Sequence, residues 1–397
     1  MEPRIIFFEL FVLLLVGLLG GLVAIRFRQP IMLGELAAGL AIGYVAATFY
    51  SPGTLDSTTL DVLSEIGISA LLFDVGLKIH LDTLRGLGRR ALAVALMGVI
   101  VPFALGYVAA LLFGIPVESR LVIAAALTAT SVGLTAAVLE ETNRADTGIG
   151  NMILSAAIFD DIIGLVVLGL ITGIVAQGSS SVISLSTVAV KVLAFFAFAL
   201  LVLRPVATKT LDVIEAICGE KGVTLASFSC LLLLSFISDL IGLDLIVGAF
   251  TAGIALSQAR ERDEIDRAFA PIINIFAGLF FVLVGVNMDA ARLIPIVAAS
   301  PGVLLFCGML TICATLGKLS CGMAATGSRQ DKWVVGLGMV PRGEVGLILA
   351  NFGRTEGILS HAHFSALVLA IIANAFWGSS MFRKELVQWG KQEGSKK

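Results

Sequence analysis

Charge is what this chain has least of. Asp, Glu, Lys and Arg make up 14% of its 397 residues, 58% are hydrophobic, and the mean hydropathy is +1.00. A soluble domain is typically about 25% charged, so a water-soluble globule is excluded. Alternating period-two runs with turn signals are missing too, which argues against a membrane β-barrel. The five cysteines show neither metal-ligand spacing nor a disulfide framework. Cys230, Cys307, Cys313 and Cys321 lie in apolar runs and Cys218 in a polar stretch, and all read as small packing residues. No small-residue cleavage site follows the first run, RIIFFELFVLLLVGLLGGLVAI. It is too long for the core of a signal peptide and is kept as a membrane helix.

What the chain does have is a succession of apolar runs, each long enough to cross a hydrocarbon layer of roughly 30 Å. They fall at 4–26, 31–49, 59–78, 90–113, 119–140, 150–176, 182–203, 222–241, 243–257, 268–287, 296–325, 333–352 and 361–383. The expected fold is therefore an all-α membrane protein of about thirteen transmembrane helices. The bases sort by side. Roughly twenty Lys and Arg follow odd-numbered spans or lie in the tail, among them Arg85, Arg89, Arg90, Arg260, Arg262, Arg267, Lys391, Lys396 and Lys397. The other side holds about four: Arg4, Arg120, Arg292 and Arg354. The bias puts the N-terminus outside and the C-terminus in the cytoplasm.

The chain also repeats itself. LGELAAGLAIG (33–43) parallels VGAFTAGIALS (247–257), VGLKIHLDTL (75–84) parallels VGVNMDAARL (284–293), and SVGLTAAVL (131–139) parallels EVGLILANF (344–352). An offset of seven spans inverts the second copy in the membrane. The reading is two inverted six-helix repeats joined by a linker helix, a plan common among secondary transporters.

Against this background the stretch SAAIFDDIIGLVVLG (155–169) stands out, because Asp160 and Asp161 sit mid-span. A charge at a helix centre costs about 2.5–3.5 kcal/mol to insert, so such acids face protein and carry function. Neighbours on a helix diverge by about 100°, so the two cannot share one job. One can face a cavity; the other needs a partner. Lys318, alone in CATLGKLSCGMAA, is the candidate. TATS (128–131) and VPRGEVG (340–346) interrupt the fifth and twelfth spans at corresponding places in the two halves. Matching interruptions point to unwound, crossing helices at a binding site. There Thr130 and Ser131 offer oxygen ligands to a cation, and Arg342 and Glu344 read as a structural ion pair. An intramembrane aspartyl protease would need its acids on different helices. A channel would need a continuous filter and usually axial symmetry.

QPIMLGELAAG (29–39), ATSVGLTAAVLEE (129–141), AAIFDDIIGLVVLG (156–169), TLGKLSCG (315–322) and GMVPRGEVGLILA (338–350) together resemble the cation:proton antiporter-2 family, closest to the NapA-type sodium/proton antiporters. The resemblance implies that Asp161 carries the ion or proton and that Asp160 pairs with Lys318. It implies a homodimer in a lipid bilayer, the inner membrane of a bacterium, without nucleic acid and without a cofactor beyond the transported Na⁺ or other monovalent cation and H⁺. It implies an interface domain formed by 1–87 and 222–290, a core that moves like an elevator formed by 88–180 and 291–385, a linker at 181–221 and a cytoplasmic tail at 386–397. A K⁺/H⁺ antiporter of the Kef-like branch is the alternative. Kef-type relatives carry a nucleotide-binding domain; the chain stops at GKQEGSKK, so none is expected here. Asp74, in LLFDVGLK, departs from the family pattern and reads as an interface charge or, alternatively, an extra acid on the cytoplasmic route.

Overall fold

The computed structural model describes residues 3–27, 29–49, 58–78, 88–145, 147–177, 182–288 and 301–394. Among them all regular structure is helical. In chain order the helices are α1 (Pro3–Arg26), α2 (Ile31–Phe49), α3 (Thr58–Leu77), α4 (Arg89–Leu112), α5 (Val117–Ala126), α6 (Val132–Glu141), α7 (Gly148–Gln177), α8 (Val182–Phe198), α9 (Arg204–Leu240), α10 (Leu245–Leu256), α11 (Arg262–Asn287), α12 (Pro301–Leu319), α13 (Arg329–Gly338), α14 (Glu344–Thr355) and α15 (His361–Gly394). Arg85, Arg292, Lys396, Lys397, the start of the eleventh span and the ends of the 75–84 and 284–293 repeat segments lie outside the described residues.

Among the described residues, seven helical runs are long and apolar enough to cross a membrane: α1, α4, α7, the α8–α9 run, α11, α12 and α15. The fifth and twelfth expected spans are each two short helices. α5, α6 and α13 have 10 residues and α14 has 12. At 1.5 Å per residue such pieces reach about half-way across a bilayer. On α1, Phe7, Phe8 and Phe11 are 75%, 65% and 59% exposed. Aromatic surface of that kind is stable against hydrocarbon and not against water.

The chain divides into two units. The first comprises Met1–Thr83 and Leu168–Ala291. In it α2 and α3 both pack on α11, α1 packs on α2, and α10 packs on α3 and α9. Glycines permit the approach: a Cβ at Gly39 would run into the Val282 carbonyl, and one at Gly285 into that of Leu36. Small residues at such crossings let backbones touch where no hydrophobic effect drives helices together. Lys191, on α8, donates to the Ile241 carbonyl at 3.0 Å, placing a cation at the C-terminal end of α9.

The second unit comprises Leu84–Val167 and Arg292–Lys397. Here α4 packs on α5 and α12, α12 on α15, and α5 on α14. Gly317 of α12 lies against Pro102 of α4, where a Cβ would meet the proline ring at 2.8 Å. The core includes Val94, Ile153, Ala156, Leu337, Phe382 and Leu386.

Two stretches outside the expected spans are helical. Residues 204–221 belong to α9, which bends at Gly219, where φ is +62° and only glycine sits without strain. Residues 386–394, expected as tail, continue α15. Trp389 is the reason: it is buried, its Nε1 donates to Asp331 Oδ1 at 2.7 Å, and the Arg144 guanidinium lies over its ring. That packing extends the helix past the apolar run.

Candidate functional site

The site is built where two helices break. α5 ends at Ala126 and α6 begins at Val132; α13 ends at Gly338 and α14 begins at Glu344. Each break leaves carbonyls and N–H groups without helical partners, and the two breaks satisfy one another. The Ser131 N–H donates to the Pro341 carbonyl at 2.9 Å. Thr130 Oγ1 donates to the Met339 carbonyl at 3.1 Å, and Thr135 Oγ1 to that of Gly338 at 2.8 Å. Ser131 caps α6, its Oγ accepting from the Leu134 N–H. Proline explains the second break, since Pro341 has no N–H to continue a helix.

Asp160 and Lys318 meet inside this unit. Lys318 Nζ lies 2.7 Å from Asp160 Oδ1 and 2.9 Å from Oδ2, and both side chains are 0% exposed. The Thr130 N–H donates to Asp160 Oδ2 at 3.0 Å. One carboxylate thus binds a lysine and the N-terminal side of the break before α6, where the helix dipole is positive. Space for the pair comes from Gly98 on α4. A Cβ there would stand 3.3 Å from both Asp160 Oδ1 and Lys318 Nζ.

Asp161 is placed differently. It is partly accessible and has no hydrogen-bond partner among the described residues. Burial acts on it most, followed by the charges of Glu344, Asp160 and Lys318. Its carboxylate is therefore the available one of the pair.

Arg342 and Glu344 do not form the ion pair expected of them. The buried Arg342 donates from Nη1 to the Ala129 carbonyl at 2.9 Å and from Nη2 to the Ala314 carbonyl at 3.0 Å. Glu344 Oε2 accepts from Ser131 Oγ at 3.1 Å. The physical reason is the backbone between them. Gly343 is extended, and the break offers bare carbonyls to the cation and a cap hydroxyl to the acid, so each finds a nearer partner.

The sequence reading missed several groups that hold the site. Thr315, one turn before Lys318, donates to Asn374 Oδ1 at 2.8 Å, and Asn374 Nδ2 donates to the Ala370 carbonyl. A lone asparagine in the apolar run ALVLAIIANAFWG was the available signal. Thr135 carried no such signal, because threonine is ordinary in membrane helices. Asp74 lies in the first unit and pairs with Lys78 at 2.7 Å. Lys78 also reaches Asp266 at 3.3 Å. The five cysteines are free.

Comparison with known proteins places this architecture. The family model described as sodium/hydrogen exchanger, transmembrane, matches residues 10–384. The chain is 30% identical to the high-affinity Na(+)/H(+) antiporter NhaS3 of Synechocystis sp., over 96% of this chain and 89% of that one. It is 31% identical to the Na(+)/H(+)-K(+) antiporter GerN of Bacillus cereus, over 92% of each. Among solved structures it is similar to the sodium proton antiporter MjNhaP1 of Methanocaldococcus jannaschii, with a TM-score of 0.72 at 17% identity over 98% of both chains.

Proposed function

The chain belongs to the sodium/hydrogen exchanger family, and from that premise we propose that it exchanges a monovalent cation, Na⁺ first, for H⁺ across a membrane. It is a secondary transporter rather than an enzyme. The observation that carries the reading is the unpartnered Asp161 carboxylate beside the buried Asp160–Lys318 pair at the meeting of two broken helices.

Charge bookkeeping gives the mechanism. Asp160 and Lys318 cancel, as do Glu344 and Arg342, and Asp161 leaves the cluster at −1. Na⁺ on Asp161 brings it to zero; so does H⁺. An empty site would carry net charge through a low-dielectric barrier, which Coulomb and desolvation terms oppose. Only loaded states cross, so competition for one carboxylate becomes obligatory exchange. Thr130 and Ser131 use their hydroxyl protons on Met339 and Glu344, which leaves oxygen lone pairs for the cation. If Lys318 keeps its charge, the cation-loaded cluster is neutral and exchange is electroneutral; if it also releases its proton when the cation binds, that cluster stays at −1, more protons than cations move and transport is electrogenic. The titration belongs to the whole cluster.

The finer architecture belongs to the same proposal: thirteen spans, two inverted repeats, and a core moving as an elevator against an interface domain in a homodimer. The division of the chain into two units, each assembled from two separated stretches, supports it. So do the paired breaks at 127–131 and 339–343. The expected setting is a bacterial inner membrane, N-terminus outside. K⁺ as a second cargo is favoured by one observation, the similarity to an antiporter named for both Na⁺ and K⁺.

The test is a fluorescence-dequenching assay in proteoliposomes carrying a proton gradient. Adding Na⁺ should collapse the gradient, and the apparent KM for Na⁺ should rise about tenfold per unit as pH falls below the titration of the site, as competition demands. Cation flux that ignores the proton gradient would contradict exchange.

A further inference from the structure

The second unit carries a recess of about 620 Å³ where α12 ends and α13 begins. A 3-10 turn, Ser320–Ala324, follows α12. Glycines bring this stretch onto α13: a Cβ at Gly322 would run into the Lys332 carbonyl, and one at Gly336 into that of Leu319. The recess so formed has two unlike walls. Leu319 and Met323 make one apolar; Arg329, Lys332 and Trp333 line the other. Those three stand at i, i+3 and i+4 and so share a face of α13.

Both bases are uncompensated. Neither Arg329 nor Lys332 has a side-chain hydrogen bond or ion pair among the described residues. Asp331, which lies between them in sequence, is engaged elsewhere. Its Oδ1 accepts from Trp389 Nε1 at 2.7 Å and its Oδ2 from the Ser328 N–H at 2.7 Å. It does not line the recess, and neither does any other acid. Two positive charges therefore face the recess with no lining carboxylate to offset them.

The depth of the recess follows from α13 and its contacts. α13 has 10 residues, about 15 Å at 1.5 Å per residue. It ends at the break where it meets α14, half-way through a hydrocarbon layer of roughly 30 Å, so Arg329 stands near the layer's edge. Lys332 and Trp333 lie about 5–6 Å deeper. The two glycine contacts carry these depths onto the end of α12. Leu319 lies beside Gly336, near the break, and Gly322 and Met323 lie level with Lys332. The bases thus reach toward lipid phosphates, and the apolar wall descends beside acyl chains. Trp333, 41% exposed, is a residue type that favours this level. Met323, 67% exposed, offers its side chain to hydrocarbon.

We propose that the recess holds a net-anionic phospholipid of the leaflet on the expected cytoplasmic side, its phosphate between Arg329 and Lys332 and an acyl chain along Leu319 and Met323. Charge complementarity selects the head group. Two bases without a counter-charge suit a phosphate whose head adds no cation, as with glycerol; a choline head would set its own cation near them. The Arg329 fork can donate to two phosphate oxygens at once. The apolar wall selects a lipid over a soluble phosphate. The inference needs only a chain that spans a membrane and does not rest on the exchange reaction.

The test is native mass spectrometry of the delipidated protein in detergent. It is titrated separately with dioleoylphosphatidylglycerol, dioleoylphosphatidylcholine and glycerol 3-phosphate. The glycerol lipid should be retained about tenfold better than the choline lipid, and glycerol 3-phosphate should leave no adduct. Arg329→Gln with Lys332→Gln should weaken retention of the glycerol lipid roughly thirtyfold, and Lys332→Gln alone about fivefold. The melt of both variants should stay near wild type, since neither side chain loses a partner. Arg89→Gln with Arg90→Gln, which removes exposed bases at the start of α4, should leave retention unchanged. Equal retention of the two lipids, the same loss in the Arg89 and Arg90 variant, an adduct with glycerol 3-phosphate as strong as with the lipid, or no adduct at all would overturn the proposal.

Discussion

Two aspartates one residue apart have opposite surroundings. Asp160 is sealed and holds a lysine and a backbone N–H, while Asp161 is partly accessible and has no hydrogen-bond partner among the described residues. The consequence is a division of labour that mutation separates. Asp161→Asn should abolish Na⁺-driven dequenching in proteoliposomes while leaving the thermal melt near wild type, because no partner is lost. Persisting exchange would remove Asp161 from the carrier role. Lys318→Ala should do the reverse to stability. It strands the Asp160 charge in a buried position, a loss of about 3–5 kcal/mol, read as a clear fall in Tm. It should also change the voltage dependence of any exchange that remains. An unaltered melt with unaltered voltage dependence would refute the pairing as a functional unit.

At the scale of the element, the unit of construction is a broken helix. α5 and α6, like α13 and α14, are pieces too short to cross alone, and they persist because the breaks exchange hydrogen bonds. Arg342 closes the arrangement by donating to carbonyls of two different segments, at Ala129 and Ala314. Arg342→Leu keeps bulk and removes both bonds. It should cost about 1–3 kcal/mol for each carbonyl left unsatisfied, measurable as lost thermal stability, and should lower exchange rate more than apparent KM, since it touches no cargo ligand. A variant as stable as wild type would mean that the carbonyls find water instead.

At the scale of the whole molecule, each unit is assembled from two stretches distant in sequence. The pattern is what the proposed inverted repeat predicts, with corresponding parts of each half brought together. The proposed homodimer predicts a protein mass of twice the chain's 41.5 kDa by light scattering in detergent, after subtraction of the micelle. A single chain mass across a range of concentrations would rule against it.

The sequence alone determined the class of the protein and the identity of its central charges. Long apolar runs require a membrane, since nothing else hides so much hydrocarbon, and a charge placed in such a run is too costly to be incidental. Asp160, Asp161 and Lys318 were legible for that reason, as were the two interruptions, because proline, glycine and clustered hydroxyls mark local breaks. What only the tertiary structure decided was partnership. Arg342 and Glu344 are two residues apart and opposite in charge, yet they bind Ala129, Ala314 and Ser131 instead. Asn374 supports the Lys318 helix from another helix, and Trp389 holds the end of α15. Such choices depend on which groups the fold brings within about 3 Å, and a linear chain does not contain that distance.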